Sequence, residues 1–302
     1  MHSFQLATAA IRKTAKNLRL IALLWIAQLA IAAIAGYPVF RYLDSALSHS
    51  PAGDEFLHRF SLPLVSDLAR AGASQGIPLG SLLTLVIVLT LLWNAGAAGG
   101  ALETLLSNDP VSTLHRFARG AGRYFNRFLR MGLVAAATAI VIAAVLSGPV
   151  FAVSGALDDA AEGAKQWLNF AGVLLALLAV LTVLLALDLA RTRVARDDRR
   201  KGVAVFFATL RALLRRPLLV LGLWFWLAAA FAALALLYSA LCHVLPTGAG
   251  LALFAVVVLQ QLLAMARAGM RVALWSGEIA IVDRRSPEPP LSKRLAAAQS
   301  PR

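Results

Sequence analysis

Long apolar segments and short polar connectors alternate along most of the chain. Six apolar segments hold about 20 residues or more each, which is enough for an α-helix to cross the ~30 Å hydrocarbon core of a bilayer. The pattern therefore predicts an all-α polytopic membrane protein with six transmembrane helices. The predicted spans are residues 20–40, 79–100, 131–153, 167–187, 218–241 and 247–266.

Two parts of the chain need separate interpretation. The first apolar segment is too long for the apolar region of a signal peptide and shows no clear cleavage pattern, so we interpret it as a span. Residues 286–302 are rich in proline and charge, which predicts a disordered cytoplasmic tail after a six-span domain of residues 1–285.

The connector after the second span has the clearest amphipathic pattern. Five arginines follow one another at spacings of 3, 4, 4 and 3, inside an arc of roughly 80° on a helix. Asp109 before Pro110 predicts the helix start. The arginines are Arg116, Arg119, Arg123, Arg127 and Arg130, and the aromatic residues of a separate arc are Phe117, Tyr124, Phe125 and Phe128. A helix with one cationic and one aromatic face is typical of a membrane surface.

Composition and charge support the membrane class and give an orientation. Of the 302 residues, 60% are hydrophobic and only 15% are charged, where a soluble protein has about a quarter charged. The net charge of +14 is concentrated in the connectors, which argues against nucleic-acid binding. The termini and the two connectors on their side hold 25 of the 29 Lys and Arg residues, whereas the acids divide 8 to 7. The positive-inside rule then places both termini in the cytoplasm of a bacterial inner membrane.

A faint internal repeat appears in the connectors. Phe117-Ala118 recurs ninety residues later as Phe207-Ala208, and each odd-numbered span follows a basic segment. The chain is therefore interpreted as three parallel two-helix hairpins, each with an amphipathic cytoplasmic helix before it.

The sequence contains no recognisable catalytic or metal-binding motif. The five histidines stand alone, and no nucleophile, phosphate-binding or metal-binding motif occurs, so the sequence predicts a non-enzymatic protein without cofactor or metal. The single Cys242 excludes an internal disulfide. Asp197 and Asp198 could hold Mg²⁺, but we expect them to pair locally with the flanking arginines.

Polar residues inside the spans are the remaining candidate sites, because their burial costs free energy. Gln28, Asn94, Gln260 and Gln261 would either form interhelical hydrogen bonds or line a permeation cavity. Glu103 and Asp188 lie at span ends, and we expect each to pair with a nearby arginine.

Small residues also mark the second span. Gly96 and Gly100 form a GxxxG pair, which predicts close helix packing inside one chain or, as an alternative, a dimer interface.

Two regions resemble uncharacterised bacterial six-helix membrane proteins, a family similar to the membrane domain of some glycerophosphodiester phosphodiesterases. The first region contains GGALETL and then F-x-x-G-x-G-R-Y-F-x-R-F-L-R, and the second contains LALDLARTRVARDDRR and LRALLRRPLLVLGL. The resemblance implies a six-helix membrane fold and carries over no catalytic residue.

Two functions from different classes fit these observations. The first is a scaffold or accessory subunit of the inner membrane that contacts anionic lipid headgroups, and a partner protein or a second copy, through the five connector arginines. The alternative is a transporter or permease component with a cavity near the four intramembrane amides.

Overall fold

The computed structural model describes residues 3–47, 79–107, 109–157, 162–199, 201–215, 217–244 and 250–285. Within these ranges the chain forms helices and no strands. The eight helices are α1 (Ser3–Ala15), α2 (Leu18–Leu47), α3 (Leu79–Leu106), α4 (Thr113–Ala156), α5 (Glu162–Asp197), α6 (Gly202–Arg215), α7 (Leu218–Val244) and α8 (Gly250–Arg285). The predicted tail at residues 286–302 lies outside the described residues.

Six of these helices are long and apolar enough to cross a bilayer, which confirms the predicted all-α polytopic class. They comprise α4, α5 and α7 at full length and parts of α2, α3 and α8. The partial segments are Leu18–Pro38, Thr84–Leu106 and Phe254–Arg284.

The helices extend well beyond the predicted spans. α4 has 44 residues, because the arginine-rich connector and the third span form one continuous helix. α8 continues to Arg285, where hydropathy predicted an end at residue 266. Its second half stays helical between neighbouring helices, since Val272 and Trp275 are both fully buried.

The chain divides into two compact units. Leu23–Asn94 forms one, and residues 1–22 and 95–302 form the other. The larger unit contains the described connector helices and both hairpins, α4 with α5 and α7 with α8. The candidate sites described below lie in this larger unit.

The connector helices of the larger unit have matching burial patterns, in a register one residue from the one that the sequence predicts. Phe206 is fully buried and matches the buried Phe117 at a separation of 89 residues, whereas Phe207 is 48% exposed. Each connector helix, together with the start of the span that follows it, buries four residues at spacings of 3, 4 and 7. The three sets are Ala7, Ala10, Thr14 and Ile21; Phe117, Gly120, Tyr124 and Met131; and Phe206, Thr209, Leu213 and Val220.

The connector helices pack on other helices of the larger unit. α6 packs against α4 and α5, and α1 packs against α7 and α8 of the last hairpin. The first part of α4 contacts the end of α3, where an added Cβ on Gly100 would lie 2.6 Å from the Phe117 ring. The three segments α1, residues 113–130 of α4, and α6 are called the surface helices below.

Small residues allow the closest of these approaches. An added Cβ on Gly99 would lie 2.8 Å from the Gly120 carbonyl oxygen, while one on Gly96 would lie 3.8 Å from the Phe125 ring. The predicted packing inside one chain is therefore present, and Gly99 and Gly100, rather than Gly96, make the tightest contacts.

Candidate functional site

The arginine-rich helix begins three residues later than predicted. Ser112 is its N-cap, and the Ser112 hydroxyl accepts a hydrogen bond from the His115 backbone N–H at 3.4 Å. Asp109 instead accepts a hydrogen bond from Arg119 at 2.7 Å. This hydrogen bond is the main reason why the pKa of Asp109 lies below its ordinary value.

The aromatic face of this helix packs against protein rather than lipid. Phe117, Tyr124 and Phe128 are all at most 7% exposed, and only Phe125 is partly exposed, at 36%. The Tyr124 and Phe128 rings stack at 5.4 Å, and the Tyr124 hydroxyl donates to the Ala195 carbonyl at 3.3 Å. Three of the four aromatic residues of this arc therefore form part of the core, and only Phe125 remains at the surface.

The first two arginines of the stripe bind the end of α3 and the turn after it. Arg119 lies 3.2 Å from the Glu103 carboxylate as well as 2.7 Å from Asp109. Arg116 donates to the Ser107 carbonyl at 3.0 Å. The expected pairing of Glu103 with a nearby arginine is confirmed, and it connects α3 with α4.

The next two arginines converge on one carboxylate at the end of α5. Arg123 and Arg127 each donate to Asp198 at 2.8 Å. Asp197 does pair locally with Arg196 and Arg199, as predicted. The same prediction is wrong for Asp198, whose partners lie 71 and 75 residues away in the chain.

Asp198 has the backbone and the charge that this position needs. Its φ of 47° is left-handed, which aspartate tolerates better than most residues. Partial burial raises the pKa of Asp198, but hydrogen bonds and charges from Arg127 and Arg123 outweigh it and hold the pKa below its ordinary value. The carboxylate is therefore ionised at neutral pH and fixes the end of α5 to the arginine stripe.

Arg130, the last of the five arginines, faces a different environment. It is exposed and borders a groove of about 360 Å³ that the start of α6 closes on the other side. The groove is lined by Asn126, Arg127, Arg130, Lys201, Gly202, Val203 and Ala204. We call it the α4–α6 groove. Three cations make it a favourable environment for an oxyanion such as a phosphate.

A second cationic groove runs along α1. It measures about 540 Å³ and contains three basic side chains. Its lining residues are Gln5, Thr8, Ala9, Arg12, Lys13 and Lys16. All three surface helices thus border grooves with the same charge.

A buried polar cluster, which the sequence did not predict, joins α5 to α8. Asp188 pairs with Arg191 at 3.3 Å, as expected from their spacing. Thr192 lies 2.9 Å from Glu278, and Arg196 lies 2.6 Å from Asp283. These contacts join residues 86 and 87 positions apart, so no local spacing could have indicated them.

The four intramembrane amides are divided between the two units of the structure. Gln28 and Asn94 are half-buried in the smaller unit, while Gln260 is exposed and Gln261 half-buried in the larger one. Neither groove described above includes any of them. A permeation cavity at these residues stays a prediction.

The described residues contain no group of three or more His, Cys, Asp or Glu side chains that could hold a metal ion. Comparisons with family models, with curated proteins and with solved structures find no match to this chain.

Proposed function

We propose that this multi-pass membrane protein is a non-enzymatic scaffold or accessory subunit whose surface helices bind anionic lipid headgroups at the cytoplasmic face of a bacterial inner membrane. One observation carries the proposal. Each surface helix buries one face against the helix bundle and exposes both cations and large apolar side chains on the rest of its surface.

The exposed cations occur in all three copies of the repeat. They are Arg12, Lys13, Lys16 and Arg19 around α1, Arg119, Arg123 and Arg130 in α4, and Lys201, Arg211 and Arg215 around α6. Each basic residue near an anionic leaflet contributes about 1 kcal/mol. Ten such residues give strong attraction even if salt bridges and screening reduce several of them.

Exposed apolar side chains on the same helices complete the interfacial pattern. They are Phe4 and Ile11 on α1, Leu114 and Phe125 on α4, and Val203, Phe207 and Leu214 on α6. Apolar side chains beside Lys and Arg are what a helix lying in the headgroup region exposes. A purely solvated helix would gain nothing from exposing Leu214 to water at 66%.

The α4–α6 groove is the place where this contact is most specific, and it gives the test. We expect the double variant Arg130→Gln/Lys201→Gln to weaken retention of phosphatidylglycerol roughly 25-fold, from about 1 kcal/mol per cation. Native mass spectrometry of protein released from phosphatidylglycerol nanodiscs would count the retained lipids. Vesicles or nanodiscs of phosphatidylcholine alone give the baseline.

A matched control separates site binding from a change in total charge. Lys201→Gln and Lys165→Gln remove the same charge near opposite ends of α5, Lys201 just after its last turn and Lys165 in its first turn. Only the first should lower lipid retention. Equal losses in the two single variants, or unchanged retention in the double variant, would refute the proposal.

A further inference from the structure

Glu278 is a fully buried carboxyl group at the contact between α8 and α5. It is 0% exposed and lies 24 residues after Phe254, where the apolar part of α8 begins. That separation is about 36 Å along a helix, more than the ~30 Å hydrocarbon thickness. The carboxyl group therefore lies near one membrane interface, and it is protein, not lipid, that buries it.

The hydrogen-bond geometry around Glu278 favours a neutral carboxyl group. The Thr192 hydroxyl lies 2.9 Å from Glu278 Oε2 and 3.1 Å from the Asp188 carbonyl oxygen. A threonine hydroxyl has one hydrogen, so it can donate to only one of these two acceptors. Both contacts are hydrogen bonds if Glu278 carries a proton and donates it to Thr192. An ionised Glu278 would have to compete with the carbonyl for that hydrogen.

Two guanidinium groups lie near Glu278, and each contacts other groups, although Arg191 Nε makes no hydrogen bond in the part of the chain that the structure describes. On α5, Arg191 pairs with Asp188 at 3.3 Å, and its guanidinium lies 5.7 Å from the centre of the Phe128 ring of α4. On α8 itself, the Arg271 guanidinium lies 5.2 Å from the centre of the Trp275 ring. Asp188 adds a negative charge on the same side, which further disfavours an ionised Glu278.

The other helices that pack on α8, namely α7 and α1, add no charged partner for Glu278 among the described residues. From α7, Leu223 lies against Gly277, and a Cβ added there would be 2.6 Å from it. The cations of α1, Arg12 and Lys13, are exposed. Within the described residues, Glu278 Oε1 has no hydrogen-bond partner. Burying an ionised carboxylate with so few partners costs several kcal/mol.

We infer that Glu278 is a proton-binding site, whose neutral carboxyl group donates to Thr192 and holds α8 against α5. Release of the proton to solvent would leave a carboxylate beside Asp188, and the single Thr192 hydrogen would have to turn from the Asp188 carbonyl to Glu278. The α5–α8 contact is therefore weaker in the ionised state. This inference is independent of lipid binding.

The sign of the pH dependence follows from linkage. The folded protein keeps this proton over a pH range in which an unfolded glutamate has lost it. The stabilisation is therefore complete in acid and is lost as the pH rises. Glutamine resembles the neutral carboxyl in shape and can also donate to Thr192, but it does not titrate.

The test is Glu278→Gln, compared with the wild-type chain in nanodiscs of one composition. We expect the variant to match or exceed the wild-type Tm at neutral pH, and its advantage to grow between about pH 5 and 8. Infrared spectra should show a carboxylic-acid C=O band in the wild type that the variant lacks. Glu162→Gln, at an exposed carboxylate of α5, should change neither result.

Contrary results are equally clear. If Glu278 were ionised, glutamine would leave the buried arginines without a counter-charge, and the variant would lose Tm or fail to insert. Either outcome, or the absence of the acid band from the wild type at neutral pH, overturns the inference.

Discussion

Gly120→Ala is expected to lower the free energy of unfolding by about 3 kcal/mol and to separate α4 from α3. An added Cβ would overlap the Glu103 side chain and would lie 2.6 Å from the Gly99 carbonyl oxygen. These contacts can be relieved only if the backbones of α3 and α4 move apart, because Gly99 and Gly120 already lie in close contact. Titration with a denaturing detergent in mixed micelles measures the loss.

Gly122→Ala is the matched control on the same helix. An added Cβ on Gly122 meets no atom within 4 Å, and alanine favours a helix more than glycine does. This variant should be neutral or slightly more stable. A similar loss of stability in both variants, or no loss in Gly120→Ala, would contradict the close approach of α3 and α4 as the cause.

Arg196→Ala has the second large expected effect. Arg196 is 2% exposed and lies 2.6 Å from Asp283, so it connects α5 with the end of α8. Removing one partner of a buried ion pair typically costs about 3–5 kcal/mol. Asp283 is 45% exposed and can recover hydration, so we expect the lower end of that range.

Arg199→Ala tests whether burial is the cause. Arg199 pairs with the same Asp197 carboxylate that Arg196 contacts, but it is 63% exposed. Exposed pairs contribute at most about 1 kcal/mol, so Arg199→Ala should have little effect on detergent unfolding. Equal losses in the two variants would contradict the assignment of Arg196 as a buried link between the helices.

The fold class could be predicted because a bilayer requires long apolar helices, and hydropathy detects them directly. The positions of the helix ends could not be predicted in this way. α4 and α8 continue through polar stretches because neighbouring helices cover one face of each. Trp275 and Glu278 are both fully buried in the part of α8 that follows the predicted sixth span.

The surroundings of the two faces of the amphipathic helix could not be predicted from the sequence. Periodicity correctly separates the arginines from Phe117 and Tyr124, but it does not distinguish a lipid from a protein surface. Glycines decide the question, since Gly99 and Gly100 leave room for the Phe117 side of α4. Ion pairs show the same limit of local patterns. Spacing along the helix predicts the pair of Asp188 with Arg191, but it does not predict the pair of Asp198 with Arg123.

The central claim is that the three surface helices lie on the cytoplasmic side while six helices cross the bilayer. Reporter fusions after Ser50, Gly155 and Thr247 measure this directly, because the account places all three sites outside the cytoplasm. A fusion after Lys201 should report the cytoplasm. If any of the three outer sites proves cytoplasmic, or Lys201 proves external, the surface helices cannot share one leaflet and the account is wrong.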